Sequence, residues 1–224
     1  MSDSIVKKQQ EVYTKQFLEH GDSPEGTFNQ NDVIQRLRFD RLIKQLDFEN
    51  GIKKLHDVGC GICDLHTYLQ GRDINVQYSG TDVVPEMKEL ALKKYPNMEF
   101  HVRDIINDDI EEVYDYVTLA GVFNLPGDTD RQEWANFTRQ MISKMFDLCT
   151  KAISFNFLTT KADFYHPDMY YANPAEIFEY CSKNLSRYVV IDHSYPLFEF
   201  TVTIFKTEGM KESFTAQPLQ KYLK

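Results

Sequence analysis

An aspartate and two glycines stand together where a short apolar stretch of the chain ends. The segment Leu55-His-Asp-Val-Gly-Cys-Gly-Ile-Cys-Asp-Leu carries Asp57, Gly59 and Gly61 directly ahead of a helical pattern. Glycine lets the backbone approach a ligand closely, and the first turn of a helix offers free N–H groups. The segment therefore predicts a loop that binds a nucleotide-like ligand, although a plain strand-to-helix turn could use the same two glycines.

Two further acids follow at the ends of the next two predicted strands. Asp82 closes Tyr78-Ser-Gly-Thr-Asp, and Asp104 closes Phe100-His-Val-Arg-Asp. An acid after the second strand can accept both ribose hydroxyls, and Asp104 is placed to meet an adenine amino group. Each acid alone could instead cap the next helix. Acids at three successive strand ends favour a nucleoside-type ligand, with Val83 and Ile105 beside it.

Other nucleotide-binding classes fit this loop less well. A nicotinamide fingerprint places a third glycine at position 64, where this chain has Asp64. The chain also has no Gly-Lys-Ser or Gly-Lys-Thr of a P-loop. A nicotinamide-dependent oxidoreductase is therefore disfavoured.

The elements around these residues predict an α/β fold with a doubly wound, mostly parallel sheet. The predicted strands span residues 54–58, 76–81, 98–102, 114–119, 151–157, 188–192 and 198–205. The predicted helices between them span residues 64–70, 85–94, 131–149 and 174–184. Because the last two strands are joined by only Ser194-Tyr-Pro-Leu, too short for a parallel crossover, they must pair antiparallel.

The chain divides into three predicted parts. Residues 1–50 contain two helical patterns, at 5–18 and 32–48, joined by the turn-forming His20-Gly-Asp-Ser-Pro-Glu-Gly. We expect this part to cover the carboxyl edge of the sheet as a helical lid. Residues 51–206 form the ligand-binding core, and residues 207–224 form a loose polar tail.

Taken together, the ordered motifs resemble the class I S-adenosylmethionine (SAM)-dependent methyltransferases. The resemblance rests on Asp57-Val-Gly-Cys-Gly, Asp82, Asp104 and Tyr114-Asp-Tyr-Val-Thr-Leu-Ala-Gly, and on the terminal hairpin, and it covers roughly residues 51–206. It implies a seven-stranded Rossmann-like sheet in the order 3-2-1-4-5-7-6, with the last strand antiparallel. It also implies SAM over Gly59 and Gly61, with S-adenosylhomocysteine (SAH) as the product. Cys63 departs from the pattern, because many members carry a third glycine there.

A narrower resemblance points to a bacterial branch of small-molecule methyltransferases. It is carried by the segments His20-Gly-Asp-Ser-Pro, Gln35-Arg-Leu-Arg-Phe, Ala120-Gly-Val-Phe-Asn, Met169-Tyr-Tyr-Ala-Asn-Pro and Phe198-Glu-Phe-Thr. The branch implies Arg38 as a partner for the methionine carboxylate of SAM, with Ala120 also at the cofactor. A solvated helix arginine is the alternative for Arg38.

Residues for the methyl acceptor are harder to choose from sequence. A histidine that titrates near neutral pH can take a proton from an acceptor hydroxyl, and we select His193 as the candidate base. Asn124 and Asn156, at the ends of strands four and five, face the expected edge and could orient the acceptor. Tyr13 and His20 in the lid and Tyr171 in the loop after strand five are further candidates.

Cys60 and Cys63 form a C-x-x-C pair, but Cys149 and Cys181 stand alone and offer no second half of a metal site. We therefore expect no metal. The formal charge of −9 disfavours a nucleic-acid surface, and no stretch is apolar enough to span a membrane. The absence of a disulfide framework and of an apolar leader fits a cytoplasmic protein.

The leading hypothesis is methyl transfer from SAM to an oxygen or nitrogen of a small metabolite. A protein acceptor remains open, and RNA is disfavoured by the acidic composition. A non-catalytic domain that keeps the fold, and with it SAM, as a scaffold is the third alternative.

Overall fold

The computed structural model describes residues 2–21 and 31–223, with side chains from residue 5 onward. The helices are α1 Ser2–His20, α2 Asp32–Ile43, α3 Asp64–Gln70, α4 Pro85–Lys94, α5 Arg131–Leu148, α6 Pro174–Asn184 and α7 Thr207–Ser213. The strands are β1 Lys53–Val58, β2 Val76–Asp82, β3 Glu99–Val102, β4 Tyr114–Leu119, β5 Cys149–Thr159, β6 Tyr171–Ala172, β7 Val189–Asp192 and β8 Glu199–Phe205. Most of the turn predicted between the first two helices lies in residues 22–30, outside the described residues.

The predicted α/β class and the order of the main strands are confirmed. The sheet runs β3-β2-β1-β4-β5-β8-β7, and only β8 is antiparallel to its neighbours. The structure adds an eighth strand, the two-residue β6, which pairs with the end of β5 off this path. The predicted order 3-2-1-4-5-7-6 describes the seven longer strands once β6 shifts the numbering.

Strand β6 exists because β5 is longer than predicted and extends past its neighbour. The last β4–β5 partners are Leu119 and Phe155, whereas β5 continues to Thr159. Its free edge is taken up by Leu158 opposite Tyr171 and Thr159 opposite Ala172. The pairing holds Tyr171 at the carboxyl edge of the sheet.

Helix α5 anchors one face of the sheet. It begins at the cap Asp130, whose carboxylate accepts hydrogen bonds from the N–H groups of Gln132 and Glu133. Its apolar stripe buries Trp134, whose indole N–H donates to the carbonyl of Phe123 at 3.0 Å. This packing fixes the short 3-10 turn Val122–Asn124 after β4, which borders the site.

The N-terminal helices lie on the carboxyl edge of the sheet at three points. Near its start, α1 places Ile5 in the same core cluster as Ile105. Near its end, Phe17 packs with Ile62, Val84 and Met87. Helix α2 buries Phe39, Leu42 and Ile43 against the opposite part of the core. The packing supports the proposal that residues 1–50 belong to the site.

The C-terminal segment is not the loose tail expected from its polarity. Residues 207–213 form α7, which packs on β5 so closely that a Cβ at Gly209 would lie 2.9 Å from the carbonyl oxygen of Lys151. Residues 217–222 then form a 3-10 helix. The prediction of a loose tail is wrong for residues 207–213. The sequence did not reveal this helix because its contact with β5 is made by the backbone at Gly209, which produces no periodic apolar pattern. Among the described residues, no helix combines the length and apolar character needed to cross a bilayer.

Candidate active site

A cavity of about 810 Å³ opens at the carboxyl edge of the parallel strands, under α1 and α2. This is the edge where open α/β sheets bind ligands, and the volume suits a ligand of cofactor size. All nine predicted cofactor residues line it: Arg38, Asp57, Gly59, Gly61, Asp82, Val83, Asp104, Ile105 and Ala120. Of the predicted acceptor residues, Tyr13, Asn124 and Tyr171 line it as well. The roles of these residues remain proposals.

The loop after β1 has glycine-like backbone at every second position. Gly59, Gly61 and Cys63 have φ values of 66°, 52° and 66°. A Cβ at Gly59 would meet Val122 Cγ2 at 2.3 Å, so that position requires glycine. Cys63 takes up the left-handed conformation without a glycine and starts α3 as its N-cap. The substitution of a third glycine by Cys63 therefore leaves the path of the loop glycine-like.

Asp82 links this loop to the next one through its carboxylate. Its Oδ2 accepts a hydrogen bond from Gly61 N at 2.9 Å, and its Oδ1 accepts one from Val84 N at 3.0 Å. Burial raises the pKa of Asp82, and these backbone donors act in the opposite direction. Each oxygen has a second lone pair, so both can accept from a vicinal diol in the cavity.

Asp57 lies deeper and is held by side chains. The hydroxyl groups of Tyr78 and Thr118 donate to its two oxygens at 2.8 and 3.1 Å. Burial raises its pKa to about 7 against the effect of those two bonds, and the neighbouring acids Asp82 and Asp64 raise it further. A cation bound in the cavity next to this carboxyl group would favour its ionised form.

Asp104 organises its own turn. Its Oδ1 accepts from Ile106 N at 2.9 Å, and its Oδ2 accepts from Asn107 Nδ2 at 2.5 Å. The capping alternative raised from sequence thus applies in part, since the carboxylate stabilises the turn after β3. The residue still lines the cavity, as does its neighbour Ile105.

Helix α1 presents one stripe of side chains to the cavity. Val6, Gln9, Tyr13 and Gln16 follow the i, i+3, i+7, i+10 spacing of a helix face and all line it. Burial, together with the charge of Asp82, raises the pKa of Tyr13. Gln9 is 7% exposed, and its Oε1 finds no hydrogen-bond donor among the described residues. The helical spacing of this stripe is the signal in the sequence that could have identified Gln9.

Arg38 does not stand free to receive a carboxylate. Its Nη2 and Nε donate to Glu199 Oε1 and Oε2 at 2.5 and 3.0 Å. Asn156 Nδ2 donates to the same carboxylate at 2.6 Å, and Asn156 Oδ1 accepts from Gly121 N. Burial lowers the pKa of Arg38, but the bond and charge of Glu199 outweigh it and raise the pKa overall. Glu199 is the main polar lining residue that was left out of the sequence-based set.

Three sequence-based candidates lie elsewhere. His193 is exposed after the edge strand β7, 6.1 Å from the Phe200 ring centroid, and is not among the described residues that line the cavity. His20 is exposed at the end of α1, and Asn156 is fully buried behind Glu199. These choices are corrected. His20 lies beyond the part of α1 that lines the cavity, β5 continues past Asn156 to Thr159, and His193 follows the edge strand. Of the described histidines, the one that lines the cavity is His166.

The acceptor candidates are held by local bonds. Asn124 Oδ1 accepts from Leu158 N at 3.3 Å, which joins the 3-10 turn to β5. The Tyr171 hydroxyl accepts from His166 N at 2.8 Å, which fixes the loop between β5 and β6. These two residues therefore line the cavity from the 3-10 turn after β4 and from β6.

Cys60 and Cys63 pack against the backbone of β2. A Cβ at Gly80 would lie 2.6 Å from Cys60 Sγ and 3.7 Å from Cys63 Sγ. Both cysteines are buried, and burial raises the pKa of the Cys60 thiol. The structure thus gives both side chains a packing role, and the expected absence of a metal stays a prediction.

The donor set suits SAM. Its ribose diol matches the paired oxygens of Asp82, and its positive charges match a cavity lined by Asp57 and Asp64. The glycine-like loop also lets backbone N–H groups approach the ligand. The residues present therefore fit the group that the sequence motifs imply.

Comparison with known proteins supports this assignment, although no protein-family model matches the chain. The chain is 31% identical over 157 residues to a Mycobacterium tuberculosis protein named "Putative methyltransferase Rv1506c", covering 68% of this chain and 92% of that protein. It is 29% identical over 106 residues to an Invertebrate iridescent virus 6 protein named "Putative methyltransferase 235L", covering 47% of this chain and 39% of that protein.

Solved structures share the fold at low sequence identity. Magnesium protoporphyrin IX methyltransferase (ChlM) of Synechocystis, solved with SAM, matches with a TM-score of 0.62 at 15% identity over 88% of this chain and 97% of its own. N-methyltransferase NodS of Bradyrhizobium japonicum, solved with SAH, matches with a TM-score of 0.64 at 12% identity over 88% and 98%. The sheet order, the glycine loop and the methyltransferase relative that is 31% identical together lead to one assignment: the chain belongs to the class I SAM-dependent methyltransferases.

Proposed function

We propose that this methyltransferase transfers the methyl group of SAM to an oxygen or nitrogen of a small-molecule acceptor, releasing SAH. The observation that carries the proposal is the single cavity that joins the acids at the strand ends to a second wall formed by Asn124 and Tyr171. A ligand on the acids and an acceptor on that wall would share one cavity. The names of ChlM and NodS, which give a porphyrin acceptor and transfer to nitrogen, support this class of reaction.

The work of the protein in this reaction is mainly positioning. Bound SAM supplies an electrophilic methyl group on a sulfonium sulfur. Asp82 would hold the ribose, Asp57 would face the cationic part, and Asp104 and Ile105 would border the adenine. Helices α1 and α2 both line the cavity and would shield bound reactants from water. Holding two reactants in line supplies a large part of the rate enhancement for such a transfer.

His166 replaces His193 as the proposed proton acceptor. It lines the cavity beside Tyr171, and its Nδ1 lies 3.7 Å from Asp168 Oδ2. General base catalysis of this kind contributes about 10²–10⁴ in rate when the nucleophile must lose a proton.

A protein acceptor is the second candidate function, and a scaffold role without turnover is the third. The concave cavity of about 810 Å³ beside α1 and α2 favours a small acceptor over a folded protein, and the charge of −9 disfavours RNA.

The test is SAH release by the purified protein with SAM and fractionated small-molecule extracts. We expect release with at least one low-mass fraction, and its loss in His166→Ala while His193→Ala keeps it. Release only with the protein fraction would favour the protein acceptor. Tight SAH binding without release from any fraction would contradict the small-molecule proposal and favour a scaffold.

A further inference from the structure

Two phenylalanines are exposed at the mouth of the cavity. Phe164 and Phe198 both line it, with 67% and 36% of their surface exposed, and their rings meet edge to face at 5.1 Å. Leu197, Met169 and Leu158 continue this surface inward. Large exposed apolar side chains grouped on a concave rim mark a ligand-binding surface, because a ligand that covers them removes apolar area from water.

The charges in the cavity wall oppose an anionic acceptor. Among the described lining residues, the permanent cations are Arg38 and Arg103. Arg38 is engaged by Glu199, and Arg103 is engaged by Glu112 at 3.2 Å. A phosphorylated acceptor would therefore bind beside several acids and beside arginines that are already paired. The free energy needed to remove its phosphate from water would not be compensated by a new ion pair.

We infer that the acceptor is an uncharged molecule with an aromatic or similarly broad apolar body, which packs on Phe164 and Phe198. This inference rests on the proposed small-molecule function and narrows its substrate class. Aromatic rings prefer to pack edge to face or offset on one another. Because the Phe164 and Phe198 rings are perpendicular, they offer a third ring both a face and an edge to pack on. The hydroxyl or amine of the acceptor would then point inward, toward the wall that carries Asn124 and Tyr171.

The test uses the full-length protein saturated with SAH and two matched probes. The first probe is 2-naphthol, neutral at pH 7 and fluorescent, and the second is 2-naphthyl phosphate, which adds a dianion to the same ring system. We expect 2-naphthol to bind, and its phosphate ester to bind at least tenfold more weakly. Fluorescence anisotropy measures the first affinity, and displacement of 2-naphthol measures the second.

Variants connect this binding to the two phenylalanines. Phe164→Ala and Phe198→Ala should each weaken 2-naphthol by about two- to tenfold, the range for losing one aromatic contact. Phe178→Ala is the matched control, because Phe178 is 45% exposed on α6 and does not line the cavity. It should leave the affinity for 2-naphthol unchanged, and all three variants should bind SAH like the wild type.

The outcomes separate this inference from the proposed function. If SAH binds but 2-naphthol does not, or the phosphate ester binds equally or more tightly, the inference is overturned and the methyltransferase proposal stands. Unchanged 2-naphthol affinity in both Phe164→Ala and Phe198→Ala also overturns it. If SAH itself fails to bind, both the acceptor inference and the proposed function are contradicted.

Discussion

Arg38 on α2 and Glu199 at the start of β8 form a two-point ion pair, at 2.5 and 3.0 Å, that joins the N-terminal helices to the antiparallel end of the sheet. Their side chains are 15% and 5% exposed. Arg41 of the same helix and Lys44, the residue that caps it, pair with Asp192 of β7 at 3.6 and 2.9 Å. Helix α2 is thus attached to both strands of the terminal hairpin by charge.

We expect Glu199→Gln to lower the free energy of unfolding by about 2–4 kcal/mol, because it leaves the charge of Arg38 with a neutral partner. The double variant Arg38→Met/Glu199→Gln should lose less than the single variant, because it buries no charge and keeps an acceptor for Asn156 Nδ2. Urea denaturation measures both. Lys8→Met is the control, because the exposed Lys8–Asp128 pair should contribute about 1 kcal/mol or less. Equal losses in the single and double variants would contradict the expectation.

Asp82→Ala should weaken SAH binding by about 1–3 kcal/mol, the scale for leaving polar groups without partners. The structure adds a second consequence, because Asp82 also holds Gly61 N and Val84 N. Asp82→Asn keeps an acceptor for one of them and should bind more tightly than Asp82→Ala. Calorimetry with SAH gives both affinities. Wild-type affinity in Asp82→Ala would show that the ribose lies elsewhere.

Binding of SAM should release a proton from Asp57. Burial raises the pKa of this carboxyl group to about 7, so at pH 6 the free protein holds the proton, and a nearby cation expels it. We expect release of nearly one proton at pH 6 and little at pH 8.5. Binding enthalpies in buffers of different ionisation enthalpy measure the number. Asp57→Asn should abolish the release, and an unchanged value there would contradict this assignment.

Stability should fall in acid because of His56. Both ring nitrogens lie 2.8 Å from hydroxyl oxygens, of Ser79 and Thr81, and burial, with the charge of Arg103, lowers its pKa to about 3. The unfolded chain binds a proton below its ordinary pKa of about 6.5, whereas the folded chain does not. His56 therefore supports the fold above pH ~6.5, and this support is lost as pH falls toward 3, by up to ~1.4 kcal/mol per pH unit.

The measurement compares urea denaturation of the wild type and His56→Gln from pH 7 to pH 4. Asp57 acts in the opposite sense. Because its pKa is raised from its ordinary value of 3.8 to about 7 in the folded protein, its contribution to stability is present at low pH and is lost as pH rises between those two values. The difference between the two proteins isolates the His56 contribution. His193→Gln, which changes an exposed histidine, is the control. Parallel curves for wild type and His56→Gln would contradict the assignment.

Deleting residues 1–28 should leave a folded core but remove turnover and weaken SAH binding. The deletion takes away the α1 stripe that lines the cavity and exposes the surfaces that Ile5 and Phe17 cover. Covering the site is the means by which it excludes water. Circular dichroism, calorimetry with SAH and the SAH-release assay measure the three effects. A truncated protein that methylates at the full rate would show that α1 only packs.

The sequence by itself determined the α/β class, the order of the long strands and the loop of Asp57, Gly59 and Gly61. These features are local: an apolar strand, a glycine turn and an acid at a strand end are each written in a few consecutive residues. The same locality explains why the bounds of α3, α4 and α6 were predicted without error, at 64–70, 85–94 and 174–184. Because parallel strands end at the same edge of a sheet, the acids at their ends lie at that edge.

Only the tertiary structure decided which distant residues meet. Arg38 and Glu199 are 161 positions apart, so no local sequence pattern predicts their pairing. The branch resemblance instead implied that Arg38 binds the methionine carboxylate of SAM. His193 was selected as a histidine of the terminal hairpin that could accept a proton, yet it follows the edge strand β7 and does not line the cavity. His166 and the Phe164–Phe198 pair lie in connections whose path depends on packing against β5 and α5. Side-chain direction at such positions follows from the packed fold, because loop residues lack a fixed period of 2 or 3.6.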